Sequence, residues 1–458
     1  MSGPKVVRIV TVEEVRAICR RLMAQVEAGG TDLSRVAKRL GVVDSSLEAS
    51  LAGKSQQLKE MFAQSRWMEL QKLAADILAF YPAERLRLQD EATARAEAAR
   101  SRRRRLADGA RTIAEALRAA GEPIPGDLAQ VIASAANAPA KALDDMERAV
   151  GAALSGVPGR TADAAGAKAA ADLAGRLSTG EATTTLIDWL STRTITPSPA
   201  ERRLDRLVAE LEVLDGVEAT RLADRIAGVA GEVSASRRAL LTDSLVLEIS
   251  SLVAEVRRRD AGLLALEKVL ASLETSETDA AAALRNRIRA ARSTASVTEA
   301  DALVAEATSL LEEEAKAAAA AARRRAVLGA LSTLGYEVRE TMETTWTRDG
   351  RVVLRKPGTT DYGVEVGAPP DASRLQVRLV GSDRPAAPRS ARRDADQETI
   401  WCGEFDRLRE HLASLGDELV VERALKAGAQ AVRTISLPAP AQVESGDRVV
   451  RPLLRRLP

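Results

Sequence analysis

One histidine, His411, serves a chain of 458 residues, and its two cysteines, Cys19 and Cys402, stand far apart. That scarcity excludes most imidazole metal sites and His-dependent triads, and it leaves no ligand-spaced Cys/His cluster for zinc. So few thiols fit a reducing compartment. Aromatics make up 2% of the residues, too few for several globules that each need a large aromatic core. No apolar run approaches the roughly 18 residues that suggest a membrane span. The opening "MSGPKVVRIVTVEEVRA" has no basic stretch followed by an apolar one. A cytoplasmic protein with no membrane partner is expected. Lys and Arg total 67 against 65 Asp and Glu, so net charge provides no general attraction to nucleic acid or anionic lipid. Neither a P-loop nor a GxGxxG fingerprint occurs, which removes the common nucleotide-binding routes. No cofactor and no metal site is expected.

What is present is Ala, Leu, Arg and Glu in helical periodicity, a composition that also fits a GC-rich bacterial genome. Residues 6–10 read as a short strand or an extended lead-in, and Thr11 with Glu14 forms a capping box for the first helix. Six segments follow from the pattern. Residues 1–80 form an N-terminal helical domain, with Met61, Phe62, Trp67, Leu70 and Leu73 on one face. Tyr81-Pro82 interrupts it, and 81–121 restarts as a long polar helix. Residues 122–197 are an Ala/Gly/Pro-punctuated hinge or small helical region, anchored by Trp189. A coiled-coil or bundle region spans 198–334, a small α+β domain 335–440, and a tail 441–458.

Ser198-Pro199-Ala200-Glu201 has the chemistry of a helix start: Ser at N-cap, Pro at N1, Glu at N3. Beyond it Leu204, Leu207, Leu211 and Leu214 step by three and four. Leu245, Ile249, Leu252, Val256, Leu263, Leu266, Leu270 and Leu273 continue that alternation, with Arg259 on the seam. The spacing suits a coiled coil or an antiparallel bundle. Turns at Gly216, at Asp260-Ala261-Gly262 and at 275–279 favour folded-back hairpins. The fold class expected is therefore mainly α, a coiled-coil or antiparallel helical bundle followed by a small C-terminal α+β domain with antiparallel strands.

In that last domain the period changes to two. "YEVRETMETTWTR", "RVVLRK", "YGVEVGA" and "LQVRLV" read as strands, joined by Asp349-Gly350, by Pro357-Gly358 and by "APPDAS". An amphipathic helix carrying Trp401, Phe405, Leu408 and Leu412 follows. Five of the ten aromatics fall here, so this domain is expected to own a dense, independent core.

Four motifs carry chemical alternatives. Leu33 to Lys54 has helix-turn-helix spacing at Ala37, Leu40, Gly41, Val42 and Leu47. Asp44 and Glu48 would face phosphates, however, and Ser50 takes a core position, so an ordinary helical hairpin is expected. The run Arg102, Arg103, Arg104 and Arg105 offers phosphate contacts, against the alternative of a solvated helix face. Arg323-Arg324-Arg325 is explained by its place towards a helix end. Finally, the stretch around "DYGVEVGA…LQVRL" resembles the restriction-endonuclease-like core. In that core an acidic residue on one strand precedes a strand with an acidic residue or Gln and a Lys. Asp361 would supply the first carboxylate and Gln376-Val377-Arg378 the second group. Arg in place of Lys leaves no titratable base. Cys402 and His411, nine residues apart on one helix, point in opposite senses and make no catalytic pair.

These readings favour a non-enzymatic helical scaffold or adaptor that binds protein partners or further copies of itself. Recognition would rest on Arg351, Arg355, Asp361, Tyr362, Glu365 and Arg378. The alternative is a nucleic-acid-associated component of a bacterial multigene system for defence or chromosome maintenance.

Overall fold

The computed structural model describes residues 3–42, 45–119, 121–135, 138–155, 198–292, 294–359, 361–385 and 389–437. Asp44, Trp189 and the tail 441–458 lie outside them. The chain is mainly helical with one small, mostly antiparallel sheet. Two compact units make it up: Met1–Gly29, Leu51–Leu78 and Ala265–Pro458 in one, Gly30–Ser50 and Ala79–Leu264 in the other. Both units are discontinuous in sequence, unlike the six consecutive segments read from the pattern.

Helices α1 (Val12–Arg39), α2 (Ser45–Ala63) and α3 (Trp67–Ala119) come first. Contrary to expectation, Tyr81-Pro82 does not break α3. Pro82 removes one backbone N–H and usually costs a helix interior about 3 kcal/mol. Yet buried residues continue through the site at Leu70, Ala74, Ile77, Tyr81 and Leu88, and their packing outweighs the lost bond.

In the second unit the end of α3 packs on α4 (Gly126–Ser134) and α5 (Leu143–Ser155) through Leu106, Ile113, Leu117, Leu128, Val131, Leu143 and Val150. The described part of the expected hinge is thus a small helical cluster. A separate core joins α6 (Pro199–Leu214), α7 (Gly216–Ala230) and α8 (Ala235–Leu273). Ser198 starts α6 with the expected capping box: its hydroxyl accepts from Glu201 N at 3.2 Å, and Glu201 accepts from Ser198 N at 2.7 Å. Asp215 turns the chain into α7 by accepting from Val217 N and Glu218 N. The seam Leu204, Leu211, Leu214, Leu245, Ile249 and Val256 packs within the chain. Asp260-Ala261-Gly262, read as a turn, instead lies inside α8. A helical Gly costs only about 1 kcal/mol, and Asp260 is held by the Arg85 guanidinium at 3.0 Å, which also reaches Asp32 at 2.7 Å. Arg259 is exposed and does not join the seam.

The first unit holds α9 (Asp279–Ala291), α10 (Val297–Thr333), α11 (Met342–Asp349), α12 (Ala391–Ser414) and the sheet. Strands β1 (Lys5–Val10), β2 (Arg351–Leu354), β3 (Tyr362–Gly367), β4 (Arg374–Ser382) and β5 (Glu418–Ala424) run in the order β2-β3-β4-β1-β5. β1 is antiparallel to both neighbours, with Lys5 opposite Val377 and Ala424. β6 (Arg433–Ile435) pairs in parallel with the end of β4, beyond the stretch that β1 covers. The lead-in at 6–10 is therefore an interior strand, and the α+β domain is not confined to 335–440. Val7, Ile9, Val364, Val366, Leu375 and Val377 meet Val327, Leu328 and Leu331 of α10 and Trp401, Phe405, Leu408 and Leu412 of α12 in one core.

Two expectations here need correction. "METTWTRD", read as a strand for its Thr and Trp, is helix α11. The Thr345 and Thr347 hydroxyls donate to the carbonyls of Thr341 and Glu343 at 2.9 Å each, so the threonines bond within the helix. Burial of Trp346 holds α11 down. Asp349-Gly350 is accordingly a helix stop and not a hairpin turn, with Gly350 left-handed at φ 68°.

At the junction of β1 and α1, Thr11 Oγ1 accepts from Glu14 N at 3.3 Å and the buried Asp417 accepts from Val12 N at 2.9 Å. Burial raises the Asp417 pKa above its ordinary 3.8, outweighing the Val12 bond. A raised carboxyl pKa contributes stability below the unfolded value, and that contribution is lost as pH rises through the folded one. We therefore expect Asp417→Asn to remove one falling component of stability between pH 4 and neutrality, read by denaturant titrations across that range. Parallel pH profiles for the two proteins would refute this.

Candidate partner-binding surface

Of the six residues proposed for recognition, three gather at Glu365 and two at the start of α12, with Arg355 in neither group. Glu365 is buried, and Arg378, its cross-strand neighbour on β4, clamps it with two bonds of 3.1 Å. Arg351 lies at 3.7 Å and Arg433 at 3.8 Å from the same carboxylate. Glu365, chosen for recognition, is instead the buried hub of three arginines. Arg355 bonds the Thr359 carbonyl in the β2–β3 connection at 3.3 Å.

The other group surrounds the start of α12. Asp361 is buried and accepts from Arg393 at 2.9 Å. Tyr362 Oη donates to Asp394 at 2.7 Å, and Arg389 grips Asp394 at 2.8 Å while stacking on the Tyr362 ring. Burial opposes ionisation of Asp394, but the bonds from Arg389 and Tyr362 prevail and hold its carboxyl below the usual aspartate range. Burial, aided by Asp394, pushes the Tyr362 hydroxyl up. Gly381 permits this arrangement, since a Cβ there would collide with the Arg389 guanidinium. A cleft of about 570 Å³ opens beside the network, lined in part by Arg389, Ser390, Asp394, Glu398, Gly428 and Thr434. Within its lining Arg389 pairs with Asp394, Glu398 accepts from Gly428 N at 2.6 Å, and Asp383 adds a further carboxylate.

The nuclease-like arrangement is not assembled. Ser382 N donates to the Asp361 carbonyl, which puts Gln376, six residues back on β4, about 20 Å away at roughly 3.3 Å per residue. Arg378 is committed to Glu365.

Three arginines of the run are tied to tertiary partners, Arg104 while staying exposed, and Arg105 is half-buried. Arg102 bonds Glu147 and Asp144, Arg103 reaches the Ala138 carbonyl at 2.7 Å, and Arg104 pairs with Asp205. Spread around α3, these residues fasten it to α5, α6 and the segment before α5. Arg323 and Arg325 similarly hold Glu14 and Glu13 at 2.7 and 2.9 Å, while buried Arg324 donates to the Pro370 carbonyl. Tertiary pairing, not the end of α10, explains that triplet. In the helix-turn-helix segment Gly41 makes the turn at φ 65°, Lys38 pairs with Glu48 at 3.1 Å, and Ser50 is exposed.

The surface that sequence reasoning missed is on α8. At 100° per residue, Leu245, Ile249, Val253 and Val256 share the face packed on α6 and α7. Ile249, nine residues beyond Leu240, lies on the side opposite to it. Leu240 and Leu247, one heptad apart, are 72% and 73% exposed. Val233, seven residues earlier and just before the helix, is 95% exposed. This second spacing was legible but was hidden inside "RALLTDSLVLEI", where the two apolar faces interleave. No protein-family model, curated protein or solved structure matches the chain.

Proposed function

We propose that this protein is a non-enzymatic helical scaffold that assembles with itself, pairing α8 of one copy against α8 of another. The sheet module and its cleft would then recognise a further protein. One observation carries the reading: α8 bears large apolar residues on two opposite faces, and only one face is covered. Helices apolar on both sides are normally buried on both. A heptad step between exposed leucines is the spacing that a second helix fills, and like pairing with like generates a closed two-fold dimer.

The arginine run supports protein over nucleic acid as partner. To reach phosphates, Arg102 and Arg104 would first have to abandon Glu147, Asp144 and Asp205.

Light scattering or sedimentation across a concentration series tests the assembly. The wild-type chain should dimerise, and Leu240→Asp with Leu247→Asp should weaken association by at least tenfold without changing the helical circular dichroism. Burying a leucine contributes roughly 1.5–3 kcal/mol, and 1.4 kcal/mol is already tenfold. A wild-type monomer at the highest attainable concentration would sink the proposal.

A further inference from the structure

Lys5 is an anomaly. It is 5% exposed, on a strand bonded on both sides, and among the described residues it makes no ion pair. Buried lysines ordinarily have a carboxylate partner. Here Nζ lies 2.9 Å from Cys402 Sγ and 4.8 Å from the centroid of Phe405, one turn further along α12. Amine and thiol are thus pressed together by β1 on one side and α12 on the other. Both elements belong to the same core, through Val7 and Ile9 of β1 and Trp401 and Phe405 of α12. Groups held this way react as if at very high local concentration. Cys402 is partly accessible, whereas Cys19 is buried. Burial raises the Cys19 thiol pKa, so that thiol is protected twice over.

We propose that Lys5 and Cys402 form an oxidative modification site, at which a peroxide joins the amine to the thiol through a single oxygen. The separation is one that a single bridging atom can span. In the first step a peroxide oxidises the Cys402 thiol to the sulfenic acid, and one water leaves. In the second, another peroxide takes one hydrogen from the Lys5 amine and one from the sulfenic hydroxyl as nitrogen and oxygen join, and two waters leave. One N–H and the S–H bond are replaced by N–O and O–S bonds; the protein is oxidised and two peroxides are reduced. The bridge ties the first strand to α12 and closes a loop over most of the chain, the kind of cross-link that restricts an unfolded chain most.

The test uses the full-length protein treated with dilute hydrogen peroxide, digested without reductant and analysed by mass spectrometry. A linked pair of peptides containing Lys5 and Cys402 is expected, heavier than their sum by one oxygen less two hydrogens. It should disappear with dithiothreitol and be absent from Lys5→Arg and from Cys402→Ser, while Cys19 stays unmodified. The oxidised wild type should also unfold at a higher temperature than the reduced protein, a difference that Cys402→Ser loses. Should Lys5→Arg fail to fold, Cys402→Ser, at a partly exposed position, keeps the test intact. Oxygen confined to Cys402, a link lighter by two hydrogens with no added oxygen, or no reaction would each overturn the proposal.

Discussion

A fragment of residues 335–440 will not fold by itself. Although it contains β2 to β6 and α12, it lacks β1, which sits between β4 and β5 and supplies Val7 and Ile9, both 0% exposed. It also lacks α10, which brings Val327, Leu328 and Leu331 to the same core. At roughly 1.5–3 kcal/mol per buried side chain, losing these five costs about 8–15 kcal/mol. That equals the whole stability of an ordinary domain, about 5–15 kcal/mol. β5 would lose β1 as its pairing partner as well. Circular dichroism and limited proteolysis of the fragment should show no cooperative thermal transition and rapid cleavage. A sharp transition would mean that the sheet can close without its first strand.

Glu365→Ala should destabilise the full-length protein by about 3 kcal/mol. Removing one member of a buried ion pair typically costs 3–5 kcal/mol, because the partner charge is left uncompensated. Here three guanidiniums, of Arg378, Arg351 and Arg433, would face one another across the vacated position. The lower end of the range applies because Arg378 keeps a third of its side chain in solvent and can turn outward. Glu365→Gln preserves shape and one acceptor and should cost less. Urea denaturation measures both. An effect below about 1 kcal/mol for the alanine variant, the range of surface pairs, would show that the cluster is solvated in practice.

Several elements were legible because they depend on neighbours in the chain. The capping box at Ser198, the seam Leu204–Leu214, the strands 351–354, 362–367 and 374–382, and the α12 face with Trp401 and Phe405 all follow from local spacing. Misreadings arose where a local signal met a distant partner. Pro82 and Gly262 looked like breaks, but packing along α3 and α8 overrides one lost bond or one flexible residue. Thr345 and Thr347 suggested a strand, but burial of Trp346 selected helix. The candidate site was less legible still. Asp361, Tyr362 and Glu365 were chosen for recognition, yet which arginine each would meet depends on register and on β6, which alternation alone did not reveal.

The amino-acid pattern by itself determined that this chain is mainly helical, with a change to period two near its end. Helix periodicity, caps and turn residues act over a few positions and need no knowledge of the rest. Only the tertiary structure decided that the first strand completes the last sheet, and that the arginine runs are internal ties. It also decided which of the two apolar faces of α8 stays exposed. Those outcomes depend on contacts between residues tens to hundreds of positions apart, where burial energy and charge pairing choose the partner and local spacing has no influence.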